Sequence, residues 1–193
     1  MDELSVELGE VSVELEVVKW EELLEALGFT PADADYAVLK RNLDHVPDVS
    51  LPDGFTLRPL AGEHEARLAA DVHNGAFGRN WTEDEYIKVM RTPAFERTRE
   101  LVVTAPEGRF AAFTVIWPDP VSRTGLFEPV GCHRDFTRRG LATAILFAGM
   151  DRMKAAGMET ALVGCEPSNQ AAVSLYRSAG FEPFFETVDY VLE

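Results

Sequence analysis

Strand and helix patterns alternate through the last third of the chain, and this order limits the fold more than any other feature. A strand pattern over 124–132 crosses through a basic loop into a helix over 139–156 that stops at Gly157. A strand at 159–165, a helix at 169–179 closed by Gly180 and a strand at 184–191 follow. Upstream, strands at 100–105 and 109–117 flank the hairpin turn Pro106-Glu107-Gly108. Before them come a strand at 55–59 and helices at 62–77 and 82–91, with Thr82 ahead of Asp84 and Glu85 as an N-cap and acidic first turn. A meander that passes into strand–helix alternation builds a mixed α/β sheet.

The N-terminal part reads differently. Residues 4–18 alternate, with Val6, Leu8, Val11, Val13, Leu15 and Val17 against Glu7, Glu10, Glu14 and Glu16, and break at Gly9, giving one bent strand or a hairpin. Trp20, Leu23, Leu24 and Leu27 fall at helical spacing before Gly28, and 34–40 is a further strand candidate. The segment Val46-Pro-Asp-Val-Ser-Leu-Pro-Asp-Gly54 has linker composition, so the chain divides into a segment at 1–45, a linker at 46–54 and a domain at 55–193. A short internal repeat connects the ends: Leu24-Glu-Ala-Leu-Gly28-Phe29-Thr-Pro31 with Asp35-Tyr36 matches Tyr176-Arg-Ser-Ala-Gly180-Phe181-Glu-Pro183 with Asp189-Tyr190.

Charge excludes one class of partner. Thirty-three acidic against 18 basic side chains give a net charge of -15, which opposes binding to a phosphate backbone, so no nucleic-acid partner is expected. The apolar run Leu141–Met150 is about half of the ~20 residues that cross a bilayer, and Met1-Asp2-Glu3 lacks a basic signal-peptide start. The expectation is a cytoplasmic protein with no membrane partner. Two cysteines, Cys132 and Cys165, without CxxC spacing or a histidine cluster, imply no disulfide framework and no metal site.

The chemistry concentrates in two segments. Val130-Gly-Cys-His-Arg-Asp-Phe-Thr-Arg-Arg-Gly140-Leu-Ala142-Thr143 sets small and basic residues at a helix start, where unpaired N–H groups and the dipole suit a pyrophosphate. It is neither a Walker loop nor GxGxxG. The second segment is Glu166-Pro-Ser-Asn169-Gln-Ala-Ala172-Val-Ser-Leu175-Tyr176-Arg-Ser-Ala-Gly180-Phe181.

Together the two segments resemble the acyl-CoA motifs of the GNAT superfamily, the Gcn5-related N-acetyltransferases. The Q/R-x-x-G-x-G/A loop falls on Thr137-Arg-Arg-Gly140-Leu-Ala142, with Thr137 in place of Gln or Arg, and N-x-x-A-x-x-L-Y-x-x-x-G-F is matched throughout. The resemblance implies a mostly antiparallel central sheet flanked by helices. It also implies transfer of an acetyl group from acetyl-CoA, as cosubstrate and without a metal, to a small-molecule or peptide primary amine in a ternary complex. The alternative is a non-catalytic acyl-CoA-binding sensor or regulatory module.

Carried onto this chain, the resemblance assigns the pantetheine arm and thioester to backbone groups of Val130 and Cys132. It assigns the pyrophosphate to Arg138, Arg139, Gly140, Leu141, Ala142 and Thr143, and a further pantetheine contact to Asn169. Tyr176 is the candidate acid for the leaving thiolate, since a phenol of pKa ~10 stays protonated at neutral pH. Glu128, His133 or water is the base; simple strand alternation puts Glu128 on the face of Val130. Phe77, Trp81, Tyr86 and Trp117 mark the acceptor pocket, with His73, Asn74 and Asn80 near them. Structural roles compete: Tyr176 as a core aromatic, Asn169 as a helix N-cap, Glu128 as a paired surface carboxylate. Residues 1–45 would be a partial copy of the C-terminal half, packed on the domain or on a second chain, the latter making a homodimer.

Overall fold

The computed structural model describes residues 4–8, 11–15 and 20–192. Two compact units result, one within 1–36 and 186–193, the other Ala37–Phe185.

In the first unit β1 (Leu4–Leu8) and β2 (Val11–Leu15) form an antiparallel hairpin of their own, which settles the bent-strand-or-hairpin alternative. The alternation at Gly9, Glu10, Glu16 and Val17 lies outside the described residues. Helix α1 (Trp20–Ala26) ends at Gly28, whose φ of 88° is the left-handed conformation that glycine adopts without penalty. β3 (Phe29–Asn42) follows and is much longer than the strand expected at 34–40.

The larger unit opens with β4 (Thr56–Pro59) and a turn of 3₁₀ helix at Glu63–Glu65 that leads into α2 (Ala66–Phe77). The helix expected from Gly62 is therefore two pieces. α3 (Glu83–Met90) begins with a capping box in which Glu85 N–H donates to Thr82 and Thr82 N–H donates to the Glu85 carboxylate. Then come β5 (Glu100–Thr104), β6 (Phe110–Asp119) and β7 (Thr124–Cys132), a meander of antiparallel pairs. α4 (Leu141–Ala155), β8 (Thr160–Cys165), α5 (Gln170–Ser178) and β9 (Glu182–Leu192) complete the chain.

The strands form a mixed, mostly antiparallel sheet of order β4-β5-β6-β7-β8-β3-β9. β7 and β8 run parallel, paired from Thr124↔Thr160 to Phe127↔Val163, with α4 as the crossover. β3 pairs antiparallel with β8 from Ala37↔Cys165 to Asn42↔Thr160, so an early strand occupies a place between two late ones. The two strands of the internal repeat, β3 and β9, are thus neighbours, and Gly180 (φ 81°) precedes β9 as Gly28 precedes β3.

Both faces of the sheet centre are covered, which is why β5 reads as a continuous apolar run after Glu100. Val102 and Phe113 pack with Leu60, Val72 and Tyr86 under α2 and α3. Leu101 and Val103 face the other way, toward Phe136, Leu141 and Ile145. Phe127, Leu146, Met150, Val163, Tyr176 and Phe181 form a third cluster between sheet, α4 and α5. Each such side chain contributes about 1.5–3 kcal/mol of burial. No helix among the described residues is long and apolar enough to cross a membrane.

Candidate active site

Two cavities in the larger unit share β7 as a wall. One, of about 550 Å³, lies on the α2–α3 face. Phe77, Trp81, Tyr86 and Trp117 line it, with Glu128, Pro129, Phe95 and Glu100. Local hydrogen bonds set this wall. Gly78 ends α2 in the left-handed conformation, and the Asn74 amide clamps the backbone of Trp81, donating to its carbonyl at 2.8 Å and accepting from its N–H at 2.7 Å. The capping box at Thr82 then starts α3, which carries Tyr86. The Trp117 indole N–H donates to the Glu128 carbonyl at 2.7 Å. Asn80 is not part of the lining.

The pairing of β6 with β7 shifts between Thr114↔Val130 and Ile116↔Phe127. This irregularity places Glu128 and Pro129 both on the cavity wall, while Val130 packs against the cluster that contains Tyr176. The simple alternation that would put Glu128 and Val130 on one face does not hold, because the ladder irregularity interrupts the period of two.

The floor of this cavity holds a chain of polar groups that links His73 and Tyr86 to a residue the sequence did not point to, Glu100. Tyr86 O–H donates to Glu100 Oε1 at 2.6 Å, and His73 Nε2 lies 3.1 Å from the Tyr86 oxygen. With the phenol proton committed to the carboxylate, Nε2–H is the donor to the phenol oxygen. The His73 ring stacks on Phe113 at 3.7 Å. Glu100 is 1% exposed. Burial pushes its carboxyl up to about 7, against the Tyr86 hydrogen bond and with help from the negative charge of Glu65. Burial lowers His73 to about 4 and, with the Glu100 charge, raises Tyr86. Tyr86 and His73 are expected at this pocket; Glu100 is not, and its only trace in the sequence is one carboxylate at the head of an apolar strand, Glu100-Leu-Val-Val-Thr104.

The second cavity, of about 600 Å³, is lined by Cys132, Thr137, Arg138, Gly140, Leu141, Ala142 and Thr143 and by the Ala171–Ser178 side of α5. Arg138 (φ 61°) and Gly140 (φ 76°) are both left-handed, and Gly140 caps α4 without any side-chain hydrogen bond to the first turn. A Cβ at Gly140 would meet nothing within 4 Å, so the backbone at the start of α4 is open on that side. Successive N–H groups in turn conformations make a concavity for an anion. Arg139 turns to a neighbouring cavity of about 490 Å³ with Asp48 and Ser50, which shares Gly140 and Thr143. The β7–β8 ladder ends at Phe127↔Val163, and β7 continues through Val130 to Cys132 beyond it.

The other expected residues fall as follows. The Asn169 side chain accepts from Ala172 N–H at 3.1 Å and so caps α5. Tyr176 is 5% exposed and sits edge-on to Phe181 in the core cluster against which Val130 packs. His133 does not line the cavities: its Nδ1 accepts from Asp135 N–H, its Nε2 lies 3.1 Å from Arg109, and it is 7% exposed. Burial pushes the Cys132 thiol up to about 11, away from a nucleophilic thiolate. Among the described residues no group of three or more His, Cys, Asp or Glu could hold a metal ion.

Fold and cavities agree with a family match: the model of the acetyltransferase (GNAT) family fits residues 67–181, and the chain belongs to that family. Its relatives include the mycothiol acetyltransferase of Nocardia farcinica, 29% identical over an alignment of 155 residues that covers 75% of this chain and 51% of that protein. The chain spans about half the length of the curated relatives it matches. Among solved structures, a GCN5-related N-acetyltransferase from Sphaerobacter thermophilus has a TM-score of 0.70 at 23% identity, covering 88% of this chain and 54% of that one. A tandem GNAT protein from the clavulanic acid biosynthesis pathway has a TM-score of 0.70 at 15% identity, covering 97% of this chain and 62% of that one. At these identities the structural likeness concerns the fold alone.

Proposed function

We propose that the chain transfers an acetyl group from acetyl-CoA to a primary amine of a small molecule or peptide, by direct attack in a ternary complex. The observation that carries this reading is the double use of β7. Glu128 and Pro129 line the aromatic cavity, Cys132 lines the groove at the start of α4, and Val130 lies between them. A reaction at Val130 can therefore draw its two partners from opposite sides.

The groove suits the cosubstrate through the left-handed Arg138 and Gly140, the uncapped start of α4 and the open space over Gly140. When bound, acetyl-CoA supplies an activated acyl carbonyl with a thiolate leaving group. Backbone N–H groups of the 138–143 turn, with the Thr143 hydroxyl, would hold the pyrophosphate; Arg139 adds charge from the adjoining side. Val130 and Cys132 would hold the pantetheine end through backbone groups beyond the end of the parallel ladder. Asn169, while capping α5, would meet the arm.

Glu128, directly or through water, accepts the proton that the attacking nitrogen gives up, and the Tyr176 O–H donates one to sulfur as the C–S bond breaks. The N–C bond forms, one proton leaves nitrogen and one reaches sulfur, so the step balances. His133, with both ring nitrogens engaged away from the cavity, is disfavoured as the base. The same reading keeps 55–193 as the catalytic domain, 46–54 as its linker and 1–45 as a partial repeat.

Calorimetry with acetyl-CoA and CoA, followed by turnover against a panel of primary amines, tests the proposal. Binding with turnover supports it. Binding without turnover on any amine would make the chain an acyl-CoA sensor, and no binding at millimolar ligand would remove both readings.

A further inference from the structure

Glu100 has no part in the proton transfers above, yet it stands in the wall of the same cavity with one oxygen unused. Oε1 accepts from Tyr86, whereas Oε2 is buried and accepts no hydrogen bond among the described residues. A carboxylate oxygen withdrawn from water without a partner is costly. Oε2 is closed to water in this structure, so a ligand's donor reaches it only with a small turn of the carboxyl group toward the cavity; a donor, most of all a cationic one, then offsets that cost.

The sheet places this oxygen far from the reacting end. Glu100 pairs with Val115 on β6, and Val115 lies opposite the irregular Glu128–Pro129 step of β7. Glu100 and Glu128 thus lie in one row two strands apart, roughly 10 Å between backbones at the usual strand spacing. The cavity that both line has apolar and aromatic walls, including Phe77, Trp81 and Trp117, whose π faces favour a cation over an anion.

The remaining charges do not neutralise Glu100. Arg99 is paired with Glu96 at 2.9 Å, Glu65 is held by Arg58, and His73 donates to Tyr86 rather than to the carboxylate. Arg79 is the other cation of the lining.

We infer that Glu100 is the anchor for a second ammonium group of the acceptor, so that the substrate carries two cationic nitrogens separated by an apolar spacer of roughly 10 Å. This rests on the reading of the aromatic cavity as the acceptor site. Glu100 acts in binding, with the Tyr86–His73 chain holding its carboxylate in place, and it takes no proton from the reacting nitrogen.

The test compares hexamethylenediamine, whose nitrogens stand roughly 9 Å apart when extended, with hexylamine, by calorimetry on the full chain with and without CoA. The diamine should bind at least about tenfold more tightly, a gap of ~1.4 kcal/mol. Glu100→Gln should bring the two amines to within about twofold while leaving CoA affinity unchanged. In the unaltered protein the advantage should grow as pH rises through about 7, where burial has moved the Glu100 ionisation. Over that range His73, lowered to about 4, stays neutral. This pH series needs no variant and serves if Glu100→Gln fails to fold. Equal binding of the two amines, no binding of either, a gap that survives in Glu100→Gln, or an advantage flat in pH overturns the assignment. A diamine preference without CoA binding would keep Glu100 as the anchor and remove acetyl transfer; CoA binding and turnover without the preference would do the reverse.

Discussion

The two cavities beside β7 are built on different principles. The groove at Thr137–Thr143 is made by backbone: two left-handed residues, an uncapped helix start and the absence of a side chain at Gly140. The aromatic cavity is made by side chains from α2, α3, β5, β6 and β7, held by specific hydrogen bonds. A backbone site needs small residues at fixed spacing within one stretch of chain, whereas a side-chain site needs only that distant residues meet. The first kind is rigid in sequence and uniform in what it binds; the second is free to vary.

If this division is real, changes in one cavity should leave the other untouched. The largest separation is expected from Tyr176→Phe, a change in the core beside the two cavities and not in the lining of either. Loss of the phenolic proton should lower kcat about a hundredfold or more while acetyl-CoA affinity moves by about threefold or less, measured by steady-state kinetics and calorimetry. Comparable losses in both would make Tyr176 a packing residue.

The second test uses the floor of the aromatic cavity. Glu100 is neutral in the folded protein up to about pH 7 but ionises near 4.5 when unfolded, so stability falls as pH rises between those values, by about 3 kcal/mol. His73 has the opposite sign: its folded value of about 4 against 6.5 means that stability is lost as pH falls from 6.5 toward 4. The slopes oppose each other and nearly cancel over about pH 4.5–6.5. Thermal melts should show Glu100→Gln gaining stability above neutrality and keeping only the acid-side loss, while His73→Gln keeps only the fall with rising pH. The groove takes no part, and CoA affinity should follow neither change.

Gly140→Val tests the groove in turn. A β-branched residue at φ 76° costs about 1–2 kcal/mol and intrudes where phosphate would approach, so CoA affinity should fall about tenfold with amine binding intact. The smallest effect is expected from Thr82→Ala, which removes the capping box of α3 for about 1 kcal/mol of stability. Its kinetic effect should be confined to KM for the amine.

Element order was legible in the sequence because local patterns produce it. Apolar runs flanking the Pro106-Glu107-Gly108 turn marked β5 and β6, glycine stops marked the ends of α1, α4 and α5, and Thr82 with Glu85 marked the start of α3. The groove was legible for the same reason: Arg138, Gly140, Ala142 and Thr143 are neighbours in the chain, and their backbone roles depend on residue size and helix position. Four aromatics of the other cavity could be named, but not their partner Glu100, which differs from any strand carboxylate only through what packs on it.

Tertiary structure alone decided the rest. The irregular step opposite Val115 put Glu128 and Pro129 on one wall, against the period of two. His133 Nε2 was drawn to Arg109, 24 positions away, while its Nδ1 makes the local cap on Asp135 N–H. β3 entered the sheet beside β8, a pairing between residues more than a hundred positions apart that no local pattern encodes. The ionisation of Glu100 belongs here too, because burial, not residue type, moves a carboxyl to about 7. Sequence determines what each segment forms by itself; desolvation and long-range pairing exist only once the segments have met.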